Sequence, residues 1–204
     1  MNLRYSYIVF VLLLASCHPS GDVTINIQPI GDFNPVIQDS IISTLKNHGF
    51  ETRVLPPIDL PVNAKVANRT DRYRADSLLK LLVKQVDNNE LIIGLTQADI
   101  SCTKTDHRGH VRKPEWKYRD WGIFGLGYRP GNACVVSTRR IYHSDETIII
   151  QRMQKIAIHE IGHNLGLQHC ADTTCVMQDA VESIKTIDRS TQTYCPACKQ
   201  KADL

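Results

Sequence analysis

His159-Glu160-Ile161-Gly162-His163-Asn164-Leu165-Gly166-Leu167-Gln168-His169, followed at once by Cys170, is the stretch around which the rest of the chain is arranged. His159 and His163 are four residues apart, so on a helix their imidazoles share one face, one turn from each other. Two rings so placed can occupy two corners of a zinc tetrahedron and leave room for a third ligand and a water. Glu160 is turned by about 100° from His159. It sits beside such a metal, poorly placed to ligate it, where a general base for zinc-bound water belongs. Gly166 lets the chain leave the helix, because a residue without a Cβ tolerates a left-handed turn. His169, carried back beyond that turn, can close the site as third ligand. A helix with two satisfied histidines is the plainer account of His-Glu-x-x-His alone. Gly166 and His169 both fall where a zinc site needs them, and together they favour the metal.

Beyond His169 come Cys170, Cys175, Met177, Cys195 and Cys198, a C-x4-C-x-M-x17-C-x2-C tail. The long zinc motif with this tail resembles the archaemetzincins, a metzincin-type family of zinc metallopeptidases with an additional four-cysteine zinc site. More loosely, the resemblance extends upstream through Asn68–Leu82, Ile92–Asp99, Phe124–Gly127 and Val135–Arg140. It implies a metzincin-like α/β (α+β) fold: a mixed twisted sheet, an active-site helix and a small zinc-stapled lobe at about residues 170–204. The implied activity is hydrolysis of peptide bonds, with peptide or protein as substrate. The implied cofactors are two zinc ions, a catalytic one at His159, His163 and His169 and a structural one at Cys170, Cys175, Cys195 and Cys198. Met177 would lie in a tight turn beneath the catalytic metal, as a soft hydrophobic floor. Cys134–Ser137 would form the sheet edge along which extended substrate pairs.

Two other functions compete. A gluzincin-type hydrolase would take a distant glutamate as third ligand, and Glu182 is available, though Gly166 and His169 would then have no role. A non-catalytic zinc-bearing envelope protein would bind peptides without cutting them; a pure binder needs no base, and Glu160 is present.

The chain holds seven cysteines. The paired spacings of the last four suit a tetrahedral thiolate site, while two disulfides are the alternative that an oxidising compartment encourages. Cys102 and Cys134 lie at or near expected strands; either they pair with each other or they stay as buried thiols.

Residues 1–16 read as a leader. Arg4 supplies a positive start, and the apolar run Ile8–Ala15 is far shorter than the roughly 20 residues that span a bilayer. Leu14-Ala15-Ser16-Cys17 resembles the lipobox of bacterial lipoproteins, which implies a lipidated Cys17, a tether over residues 17–21 and a catalytic domain over 22–204. The expected location is the bacterial cell envelope, with the membrane as a partner through the lipid anchor. Nothing in the sequence assigns an oligomeric state.

Of 204 residues, 42% are apolar, ordinary for one globular core, and the net charge of +3 is small and dispersed. That balance gives no reason to expect a nucleic-acid partner. Val23–Gln28 alternates as a strand. Asn34 before Pro35 looks like a helix cap, with a helix to Asn47, and a second strand follows at Phe50–Leu55. Ala75–Val86 has helical spacing, Leu91–Thr96 is a continuous apolar strand suited to a sheet centre, and Ala133–Thr138 is another strand. The active helix starts near Glu146, capped by Ser144 or Asp145. Between Cys102 and Asp120 lies a basic loop with His107, His110 and Trp116; either it is only a solvated insertion, or its Arg108, Arg112 and Lys113 favour acidic substrates or partners, with Trp116 supplying apolar contact.

Overall fold

A computed structural model describes residues 23–87, 89–179 and 183–204. The lipobox, with Cys17, and the alternative ligand Glu182 lie outside the described residues. Strands β1 (Thr24–Ile30), β2 (Glu51–Val54), β4 (Leu91–Thr96), β7 (Gly125–Gly127) and β8 (Ala133–Ser137) form a five-stranded sheet in the order β2-β1-β4-β8-β7. All neighbours are parallel except β7 and β8, which pair antiparallel with Leu126 opposite Val135. A smaller sheet, β3 (Arg72–Arg74), β5 (Asp99–Cys102) and β6 (Trp121–Ile123), has the order β3-β5-β6.

Helices cover both faces of the large sheet, as parallel strands require. Helices α1 (Pro35–Asn47) and α4 (Glu146–Asn164) pack on one face and α2 (Ala75–Leu82) on the other. The two-residue period of a strand sorts the core. Ile93, Leu95, Cys134 and Val136 face α1 and α4, whereas Ile92, Ala133 and Val135 face α2. Shorter helices are α3 (Glu115–Tyr118), α5 (Ile184–Arg189) and α6 (Pro196–Lys201). Among the described residues no helix is long and apolar enough to cross a membrane.

Local chemistry sets the ends of these elements. Asn34 Oδ1 accepts from Val36 N at 2.8 Å, with Pro35 opening α1, and of the two candidate caps for α4 it is Asp145 that accepts from Thr147 N, at 2.9 Å. Ala75–Val86 is helical only to Leu82; Val83–Gln85 tightens into a 3₁₀ turn. The C-terminal segment has no core of its own. Cys175, Val176, Met177, Ile187, Tyr194 and Cys198 are buried in the same cluster as α4 and the sheet.

One expectation is corrected. Cys134–Ser137 belongs to β8, which is buried throughout and hydrogen-bonded on both sides, so it is not the sheet edge. The edge is β7. Its Gly-Leu-Gly is too short and too poor in side chains to read as a strand, though it pairs with β8 across a short connection, Gly127 opposite Cys134.

The smaller sheet is tied to the large one by charge. Asp99 accepts from Arg72 Nε at 2.7 Å and from Arg140 Nε at 2.6 Å, and Arg72 also reaches Asp120 at 3.0 Å. Hydrogen-bonded guanidinium–carboxylate pairs of this kind are directional, so they hold β5 and β6 against the segment leaving β8.

Candidate active site and cysteine cluster

Helix α4 carries His159 and His163 on one face, with ring centroids 4.7 Å apart. At its end Gly166 has φ +91°, Gly166 N bonds His163 O and Leu167 N bonds Gly162 O, a Schellman closure. The reversal returns His169, whose ring lies 5.4 Å from His159 and 5.0 Å from His163. Nitrogens of all three rings fall within 4.8 Å of one another. His159 Nδ1 donates to Val176 O and His163 Nδ1 to Leu167 O, each at 2.8 Å, and His169 Nδ1 stands 3.5 Å from Asp179 Oδ2. Anchoring one ring nitrogen on a carbonyl or carboxylate orients the other, which is how ligating histidines are held. Burial, with His163 beside it, pushes His159 down to about 3, and burial lowers His163 as well. Both are neutral near pH 7, the form that binds a cation. The donor set therefore fits a divalent metal.

Glu160 packs against the sheet edge. Burial raises its carboxyl to about 8, a shift that the backbone N–H of Gly127 opposes. A metal dication beside it would draw that value back down. A Cβ on Gly125 would stand 2.6 Å from Glu160 Oε1, and one on Gly127 3.0 Å from the Glu160 carbonyl oxygen. Gly125 and Gly127 are thus site residues that the sequence did not mark as such; the only local signal was two glycines around Leu126. Asn164 was also missed. Its Nδ2 donates to Tyr128 O at 3.0 Å and Ala133 O at 2.9 Å, tying the end of α4 to the β7–β8 connection.

Met177 is fully buried beneath the helix. A Cβ on Gly162 would meet Met177 Sδ at 2.4 Å and Tyr194 Cε1 at 2.9 Å, so this glycine lets the floor approach the turn between the two histidines. Tyr194 in turn donates to Ile158 O at 2.7 Å. Above the site runs a cleft of about 360 Å³, walled by Phe124–Gly127, Ile156, the three histidines, Val176 and Ile187.

Cys170, Cys175, Cys195 and Cys198 converge with their sulfurs within 4.8 Å of one another, all as free thiols. Cys170 and Cys195 are 3.8 Å apart. A tetrahedron with metal–sulfur bonds of about 2.3 Å has edges of about 3.8 Å, so the cluster fits zinc, against the disulfide alternative. Cys175 Sγ accepts from Cys195 N at 3.3 Å and Met177 N at 3.5 Å, and the N–H of Cys198 holds the Cys195 thiol below its usual range. Cys102 and Cys134 are free thiols too, the first on the cleft wall and the second in the core.

The basic loop is less open than its composition suggests. Glu115 accepts from Lys113 at 2.6 Å and Arg119 at 2.7 Å, and of the loop's cations only Lys104 lines the cleft. Arg108, Arg112 and Lys113 do not. Neither His107 nor His110 joins a metal-capable group among the described residues, and His110 stands 3.8 Å from Asp106.

A mixed sheet with a glycine-lined edge, an active helix bearing two histidines, a third histidine beyond a glycine turn and a methionine floor define a metzincin-type zinc peptidase. The model of Peptidase family M54 matches residues 63–203. The archaemetzincin of Natronomonas pharaonis is 27% identical over 187 residues, covering 87% of this chain and 98% of that one. That of Methanocaldococcus jannaschii is 30% identical over 185 residues, covering 86% and 90%. The crystal structure of Archaeoglobus fulgidus archaemetzincin, complexed with malonate, superposes with a TM-score of 0.69 at 27% identity, covering 87% and 99%. The chain belongs to peptidase family M54, the archaemetzincins, and is a zinc metallopeptidase.

Proposed function

We propose that His159, His163 and His169 hold the catalytic zinc, that Glu160 is the general base for peptide hydrolysis, and that the four C-terminal cysteines hold a second, structural zinc. The observation that carries the reading is the convergence of three anchored imidazoles, two of them kept neutral by burial, beside the buried Glu160 side chain at an open cleft. When bound, the metal supplies Lewis acidity toward a carbonyl and acidifies water. Glu160 accepts the proton of the attacking water on its carboxylate and returns it to the leaving amine. The Gly127 N–H and the glycine surface of β7 hold that carboxylate in place. The outer edge of β7 offers main-chain groups to an extended substrate, in the manner of strand addition. None of the four cysteines lines that cleft; they staple the tail, with Tyr194, beneath the helix. Glu160→Ala should abolish cleavage of a peptide library followed by mass spectrometry while zinc content stays at two per chain. Near-native cleavage by that variant would overturn the assignment.

The same chain is proposed to be a lipid-anchored envelope protein. Leu14-Ala15-Ser16-Cys17 supports this, since several acyl chains on one cysteine anchor stably. Cys17→Ser should move the protein out of the membrane fraction; retention after a high-salt wash would count against the anchor.

A further inference from the structure

Three cationic side chains line the cleft, Lys104, Arg129 and Lys155, whereas Glu160 is the single acidic residue among its described lining. Two of the cations bracket the histidine turn. Lys155 precedes His159 by four residues on α4 and so projects from the same face one turn earlier. Arg129 follows β7, near enough to His163 for its charge to press that ring toward the neutral form. From Lys155 to His163 the helix rises roughly 12 Å, which matches three or four residues of extended peptide.

Lys155 is fixed. Its Nζ donates to Ile187 O at 2.9 Å and Asp188 O at 3.1 Å, on the α5 wall of the cleft. An ammonium has three donors, so one N–H remains for a third acceptor. The nearby Asp188 carboxylate is engaged by Arg152 on both its oxygens, at 2.7 and 2.8 Å. Asp179 stands 3.5 Å from His169 and outside the cleft lining.

We infer that the cleft selects acidic peptides, with Asp or Glu within a residue or two of the scissile bond docking on Lys155 at one end of the histidine turn and on Arg129 at the other. The inference takes the peptidase reading above as its basis and names its substrate class. Cations on low-dielectric walls focus field into a cleft, and the metal charge adds to it. A lysine or arginine at the same substrate positions meets like charge, which discriminates more sharply than a neutral side chain does.

The test uses three blocked fluorescent peptides of one apolar framework, differing only in Glu, Gln or Lys on both sides of the central bond. Wild-type enzyme should cleave the Glu peptide with a kcat/KM about tenfold above the Gln peptide and further above the Lys peptide, a margin that shrinks with salt. Lys155→Gln should erase most of that margin with zinc content unchanged, Lys155→Arg should keep it, and Arg129→Gln, an exposed site, should reduce it. The same peptides are titrated by anisotropy onto zinc-loaded Glu160→Ala, with and without Lys155→Gln. Tighter, Lys155-dependent binding of the Glu peptide without cleavage by wild type would uphold the inference and remove the peptidase reading. Equal kcat/KM for the Glu and Gln peptides would overturn the inference and leave that reading intact. A Glu preference unchanged in the Lys155→Gln/Arg129→Gln double variant would also overturn it, since the metal alone would then be selecting the carboxylate.

Discussion

The histidine triad and the cysteine cluster are two metal-capable groups of similar compactness, each with ligand atoms within 4.8 Å, and they differ in nearly everything else. The triad has three donors on one helix and its return turn, faces a cleft, and has a carboxylate beside it. The cluster has four donors drawn from two segments 25 residues apart and backbone N–H groups directed at sulfur, and none of its cysteines lines that cleft. A metal with three protein ligands keeps a position for substrate or water, and one with four does not. The two are also mechanically joined. Met177 and Tyr194 lie on the chain between the cysteines and form the floor against Gly162, so the closed site supports the open one.

Breaking the closed site should have the largest effect. On the proposed reading Cys175→Ser removes a buried ligand, and metal binding in such lobes is folding free energy. We expect loss of one zinc per chain and destabilisation on the order of 3–5 kcal/mol, with activity falling because Met177 and Tyr194 lose their support. Metal analysis with thermal denaturation checks this; an unchanged melting temperature would separate the two sites and undo the comparison. Breaking only the chemistry of the open site comes next. Glu160→Ala should lower kcat by about 10² to 10⁴ while both zinc ions and the melting temperature hold.

Gly125→Ala sharpens the contrast, since its Cβ would meet Glu160 Oε1 at 2.6 Å. Displacing a reacting group by even 1 Å can cost about 10² in rate. A fall in kcat with unchanged zinc content is expected, and a native kcat would show that the carboxylate has slack. The last test concerns pH in the chelated protein. Glu160 is raised to about 8 in the fold, against about 4.3 for an unperturbed glutamate. Its protonated form is thus favoured by folding, so its contribution is full below the unfolded value and is lost as pH rises through the folded one. Chelated wild type should therefore lose stability from about pH 5 to pH 8 relative to Glu160→Gln, whose amide does not ionise. Parallel denaturant midpoints across that range would show the carboxyl to be unperturbed.

Most of the open site was legible because its spacing is local: a four-residue step between histidines, a glycine to end the helix and a histidine soon after it all lie within a few turns of chain. Asn34, Pro35 and Asp145 marked helix starts for the same reason. The edge strand was not legible. Gly125–Gly127 is a strand only because Val135 and Cys134 lie opposite it, and its glycines matter only because Glu160 lies against them. Resemblance put the edge one strand too far inward, at Cys134–Ser137.

By itself, then, the sequence determined the candidate ligand types, their helical register, the candidate base and the paired cysteine spacings, since each depends on residues within a turn or two of one another. The tertiary structure alone decided which strand is the edge, that Cys102 and Cys134 stay apart, that Asp99 collects Arg72 and Arg140, and that Lys155 and Arg129 flank the turn. The last three join groups far apart in the chain and the first depends on strand order; which side chains meet is set by sheet order and helix packing, and no local period records it.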